Sequence, residues 1–209
     1  MNRAVQQFEI NLRSAKQLGI IYLAFVDKLT QAISLNELLR AEIVLAVSAL
    51  DCYIHDIVRI GMLSAFKAGK GEPNAYLGFG VSLEFVKNLL SANTEDEKLN
   101  LFEHEIRRLH GFRTFQTADN ISQALSFIGI KSIWEKVAAF FGITSSDVRT
   151  QLDLIIDRRN CIAHEGDIDP TFGIGNKYPI DYPLVEKIVG FLEKIVGAIH
   201  KTAQAEVVF

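Results

Sequence analysis

Basic excess is the first thing this sequence lacks. Lysine and arginine together number 22 against 25 acidic residues, for a net charge of -3. A surface that grips duplex nucleic acid without specificity needs a broad positive field, so any RNA contact must come from a local patch. Cysteine is nearly absent as well. Cys52 and Cys161 both fall inside helical patterns, which excludes a disulfide framework and a zinc site and fits small apolar packers in a reducing compartment. Proline occurs only four times in 209 residues, three of them between Pro170 and Pro183, which leaves long stretches free to be helical. No apolar run approaches the roughly 18 to 20 residues that span a bilayer. The nearest, residues 43–50, is bracketed by Glu42 and Asp51. The first seven residues hold no apolar signal core, so the expected location is the cytoplasm, away from any membrane.

Apolar residues, by contrast, are plentiful at 49%. That is enough for one core, and no break in composition forces a second, so residues 1–209 are expected to form a single all-α helical domain. Periodicity predicts a first helix over 5–33 and a second over 34–68, with Ser34 and Glu37 as a capping box. Residues 69–74 read as a loop. Short helices follow over 82–91, 95–109, 121–127 and 132–141, with Thr94–Glu97 and Asn120–Gln123 as capping signals. A long helix starts near Thr144, with Asp147 three residues on, and reaches His164. A glycine- and proline-bearing loop over 166–180 leads to a last helix opened by Asp181 and Pro183 and ending near Ala203. Two long helices, an insert of short ones and two more long helices make an antiparallel bundle. Only 75–85 and 206–209 have any strand-like character.

The stretch with chemical content is Asp157-Arg158-Arg159-Asn160-Cys161-Ile162-Ala163-His164-Glu165-Gly166. Each helical residue advances about 100° around the axis. On that wheel Leu152, Ile155, Ile156, Ile162 and Ala163 form an apolar stripe, and Asp153, Asp157, Asn160 and His164 a polar one. Arg159 falls inside the apolar stripe. A guanidinium cannot shed its charge, so there it needs a carboxylate, with Asp51 or Glu42 on the second helix available, or a cleft to reach into. In the purely structural version, His164 is a helix-terminal histidine favoured by the macrodipole.

Arg159-Asn160, followed by His164 at the end of a late helix, resembles the signature of the HEPN superfamily (higher eukaryotes and prokaryotes nucleotide-binding). Residues 49–58, with Asp51 and His55, are similar to the acid-bearing second helix of its defence-associated members. The resemblance covers residues 37–68 and 144–203, and the loops and short helices of 69–142 align to nothing. It implies a helical bundle, metal-independent endoribonuclease chemistry, and a homodimer that brings two motifs to one cleft. Arg159, His164 and Asn160 would be catalytic, with Asp51 and His55 in support. It also implies an RNA substrate, 2′,3′-cyclic phosphate and 5′-hydroxyl ends, no cofactor, and a toxin or phage-defence setting with a protein antitoxin or regulator.

The residue types suit that chemistry. Histidine exchanges protons near neutrality, and arginine offers phosphate a fixed fork of donors. Arg107, Arg108 and Arg113, with His110, Phe112 and Phe115, make the best basic-aromatic cluster for RNA contact. Against cleavage stand the acids around the motif, Asp153, Asp157, Glu165, Asp167 and Asp169, which repel a polyanion. They favour the alternative of a noncatalytic module that binds RNA, a nucleotide or a protein partner. No Cys-x-x-Cys or His-Glu-x-x-His occurs, and Gly173-Ile174-Gly175 lacks the lysine of a phosphate loop.

Overall fold

The computed structural model describes residues 1–28, 34–69, 72–171 and 175–207. They form α1 (Asn2–Phe25), α2 (Asn36–Ala68), α3 (Asn74–Leu77), α4 (Leu83–Ser91), α5 (Glu95–His110), α6 (Ala118–Ser126), α7 (Ile133–Phe141), α8 (Ser145–Glu165) and α9 (Tyr182–Glu206). Among the described residues there is no strand, only an isolated antiparallel bridge between Ile168 and Lys177. The fold is the all-α bundle that the periodicity predicts.

α2 is the axle. It packs against α1, α5, α6, α8 and α9, and is therefore apolar around much of its circumference: Leu39, Ile43, Ala46, Val47, Leu50, Ile54, Ile57 and Val58 are all buried. α7 bridges α8 and α9, and α4 lies on α5. Where α1 meets α2, the Glu42 side chain comes close to the α1 backbone. A Cβ at Gly19 would overlap the Glu42 carboxylate and the Tyr182 ring, so a larger residue there would have to displace them.

Capping decides most helix starts. Thr94 and Glu97 form the reciprocal box predicted for α5, and the Thr144 hydroxyl accepts the Asp147 N–H at the start of α8. Asp181 caps α9, with Pro183 in its first turn. Two predicted signals are not used. α2 begins after Leu35 with no side-chain cap, because the Glu37 carboxylate instead takes Arg40 and Lys177. α6 starts three residues before position 121, under Thr117, while the Asn120 amide donates to the Thr114 carbonyl. The stretch 75–85 is not strand-like. It holds the single turn α3, a glycine-bearing bend and the start of α4, capped by Ser82. α1 ends at Phe25, short of the predicted 33, and positions 29–33 lie outside the described residues. In the tail, Glu206 ends α9, and 208–209 are likewise outside. No described helix is long and apolar enough to cross a membrane.

Candidate active site

α8 lies alongside α2 and carries the motif on its last two turns. Val148, Leu152, Ile155 and Ile156 are buried, as the wheel requires, but the stripe fades toward the C-terminus: Ile162 is half-buried and Ala163 exposed. The helix leaves the core there, so its final turn stands in solvent. Arg159 and Asn160 are half-buried and His164 is exposed. Asn160 and His164, four residues apart, share a face, and Arg159 sits about 7.5 Å before His164 along the axis. The Arg159 Nη1 donates to the Asn160 Oδ1 at 3.0 Å, and its Nε is buried without a partner among the described residues.

The expected pairing of Arg159 with Asp51 or Glu42 does not form. Asp51 is committed elsewhere: its Oδ1 accepts the Phe115 N–H at 2.6 Å and its Oδ2 the Gln116 amide at 3.2 Å. His55 lies beside it, 3.7 Å from Asp51 Oδ1, and contacts the Arg113 carbonyl at 3.2 Å. Both residues anchor the α5–α6 connection to α2. Glu42 faces α1. Burial lifts its carboxyl pKa from 4.5 to about 7, against the lowering effect of Lys16 and the Gly19 backbone N–H.

The neighbouring arginine makes the contacts that the sequence assigns to Arg159. Arg158 Nη2 donates to the Asp167 Oδ2 at 2.8 Å, and to the Tyr178 and Pro179 carbonyls. Its guanidinium lies 5.1 Å over the Tyr178 ring. Arg40, from α2, meets the same carboxylate oxygen at 2.6 Å and the Tyr178 carbonyl at 2.9 Å. Asp167 is fully buried between the two. It reaches that position because α8 ends in two successive left-handed residues, Gly166 at φ 67° and Asp167 at φ 61°, whose N–H groups turn back to the Cys161 carbonyl. Glycine adopts this conformation freely, and aspartate tolerates it better than most residues. The node thus pins the chain leaving His164 onto α2. Sequence reasoning missed it, though Arg40 carried the same signal as Arg159, a cation set in the apolar stripe between Leu39 and Ile43.

Of the acids around the motif, three are spent on structure. Asp167 is neutralised by two arginines, Asp169 is buried and accepts the Thr171 N–H, and Asp153 accepts the Ala118 N–H at the start of α6. Asp157 and Glu165 remain exposed. Of the basic cluster, Arg107 is held by Glu103 and Arg108 is held two-pronged by Glu105. Phe115 is core, not platform, whereas Phe112 is 94% exposed. Only Arg113 of the three arginines keeps a guanidinium without a hydrogen bond or ion pair among the described residues. Burial and the nearby Glu165 and Asp167 raise the Cys161 thiol pKa, which disfavours its thiolate. Among the described residues, no group of three or more His, Cys, Asp or Glu side chains is placed to hold a metal ion.

The comparisons with known proteins add one finding of weight. No curated protein and no solved structure matches the chain. A family model, RiboL-PSP-HEPN, matches residues 13–205, running through the 69–142 stretch where the sequence alone resembles nothing. An arginine–asparagine pair and a helix-terminal histidine on an all-α bundle, together with a match over nearly the whole length, establish that this chain belongs to the RiboL-PSP-HEPN family.

Proposed function

We propose that this protein is a metal-independent endoribonuclease in which His164 moves protons, Arg159 stabilises phosphate charge and Asn160 orients them. Membership of a HEPN family supports a nucleotide- or RNA-related function. The observation that carries the finer reading is the contrast at positions 158 and 159: one guanidinium is consumed by a buried carboxylate, and the next is tied only to a neutral amide. A cation kept from every carboxylate, on the same two helical turns as an exposed histidine, suits an anionic substrate. The acids that would repel RNA are fewer than the sequence suggests, since Asp167 and Asp169 are buried and Asp153 is half-buried under the start of α6.

The chemistry follows from those groups. Cleavage needs the ribose 2′-hydroxyl proton removed, the 5′-oxygen protonated and charge on the phosphorane stabilised. Histidine serves the first two tasks and the arginine fork the third. One histidine and one arginine are too few for both proton transfers in a single chain. Arg159 and His164 stand on an open helix end, so a second copy related by a two-fold axis supplies the other half of the cleft. A toxin or phage-defence role, with a protein regulator that covers this end, follows from fold analogy and belongs to the same proposal. A noncatalytic RNA-, nucleotide- or protein-binding module is the second reading, favoured by exposed Asp157 and Glu165 flanking the motif.

The test is cleavage of a mixed RNA pool in EDTA, with end analysis of the products. The expected products carry 2′,3′-cyclic phosphate and 5′-hydroxyl ends, and Arg159→Lys is inactive because a point charge cannot reproduce the fork. Binding without cleavage, equal in wild type and His164→Ala, would establish the second reading instead. Light scattering that shows a monomer at every concentration that supports cleavage would refute the shared cleft.

A further inference from the structure

Lys16 has two acids within reach and is paired with only one of them. Its Nζ lies 2.7 Å from the Glu193 Oε2, a bridge from α1 to α9 in which both side chains are about half exposed. The second acid is Glu42 on α2, whose Oε2 fills the space where a side chain at position 19 would begin. Gly19 stands three residues beyond Lys16 on α1. Helical residues so spaced lie about 5–6 Å apart at Cβ, a gap that the flexible four-carbon stem of lysine spans. A change of rotamer therefore takes the ammonium from α9 to α2 with the backbone in place.

The two acids stand in different media. Glu193 faces water, where an ion pair contributes little. Glu42 is 3% exposed, and its Oε2 is buried without a hydrogen-bond partner among the described residues. α1 presents the Gly19 N–H and the Lys16 ammonium to it, and α9 presents the Tyr182 ring. Among the described residues, Lys16 is the one charge that acts on it. Burial raises the carboxyl pKa to about 7, so the acid is neutral in mildly acidic solution and charged in mildly basic solution. A neutral carboxyl makes no demand on the ammonium, and Glu193 keeps it, as in the structure. A buried carboxylate attracts it more strongly than a hydrated one, because less water screens the charges.

We infer that Lys16 is a pH-governed clasp, which ties α1 to α9 through Glu193 when Glu42 is neutral and α1 to α2 through Glu42 when it is charged. In the charged state Glu193 is left free on the surface of α9. Glu42 lies two residues from Arg40, which holds the loop after His164 through Asp167. The clasp thus sits at the motif end of the bundle. It stands apart from the reading of that motif, and neither needs the other.

The test follows the side-chain carboxyl carbons of Glu42 and Glu193 and the Cε of Lys16 by NMR, on the full-length protein from about pH 5 to 9. Glu42 is expected to titrate in this range, and the Glu193 and Lys16 signals to step at the same midpoint. Glu42→Gln should abolish both steps. Lys16→Met keeps the stem without the charge and should move the Glu42 midpoint up by about one unit. Glu193→Gln frees the lysine and should move that midpoint down. Each substitution keeps the shape of the side chain, and the wild-type titration alone decides the matter if a variant fails to fold. A Glu193 signal without a step at the Glu42 midpoint, a Glu42 that does not titrate in this range, or a midpoint unmoved by Lys16→Met would overturn the clasp.

Discussion

Arg158 and Arg159 are consecutive residues of one helix with opposite surroundings. The first points to a buried carboxylate shared with Arg40, under the Tyr178 ring; the second reaches only the amide of its neighbour. A step of about 100° around the axis separates a cation held by a buried carboxylate from one held by a neutral amide. Arg158 anchors the loop after His164 and, with Arg40, supplies the charge that Asp167 demands. Composition cannot distinguish the two, and partners can.

The comparison breaks most sharply at Asp167. Asp167→Ala leaves the buried Arg40 guanidinium and the half-buried Arg158 one around a missing acid, which costs about 3–5 kcal/mol. For a chain of this size that lowers the melting temperature by roughly 6–20 °C in a thermal scan. Loss of less than 1 °C would mean that the node is ornamental.

Next comes Glu42, a buried charge with no arginine to neutralise it. Its folded pKa lies above the unfolded value, so its stabilising effect is full below pH 4.5 and is lost as pH rises toward 7. Glu42→Gln removes this dependence and gains up to roughly 3 kcal/mol at pH 8. Melting curves of the two proteins from pH 4.5 to 8 should diverge upward for the variant. Parallel curves would show that the carboxylate is not desolvated.

His164→Ala tests the open side. Cleavage should fall about a hundredfold, the usual worth of acid–base help, while the exposed position leaves the melting temperature within error of wild type. Wild-type cleavage by this variant would refute the catalytic assignment. The smallest effect sharpens the contrast from the far end of the same helix. Thr144→Ala removes the α8 cap and should cost about 1 kcal/mol in denaturant titration, with the cleavage rate kept. A rate that falls in step with stability would show that the motif senses the whole helix.

The bundle was legible because helical periodicity and caps such as Thr94–Glu97, Thr144 and Asp181 are local. α6 was misplaced by three residues because Asn120 and Thr117 both offer a cap, and the Trp134 indole, which donates to the Ala118 carbonyl, lies sixteen residues away. The motif itself was readable, since it is contiguous. Its surroundings were not. Asp51 looked like the partner of Arg159, but nothing local shows that the Phe115 N–H reaches it first across 64 residues. Arg40 and Asp167 meet across 127 residues, and the left-handed turn that aims Asp167 inward has no pattern beyond a single glycine.

That separation has a consequence in time. At ribosomal rates of about 5–20 residues per second, roughly 6–25 s pass between synthesis of Arg40 and synthesis of Asp167. Through that interval Arg40 has the Glu37 carboxylate of its own helix for a counter-ion, and the buried acid that it shares with Arg158 is not yet made. The ion-pair node at the start of α2 is therefore completed from the far end of the chain. A product that stops before residue 167 carries the complete Arg159–His164 motif and lacks the acid that seats it.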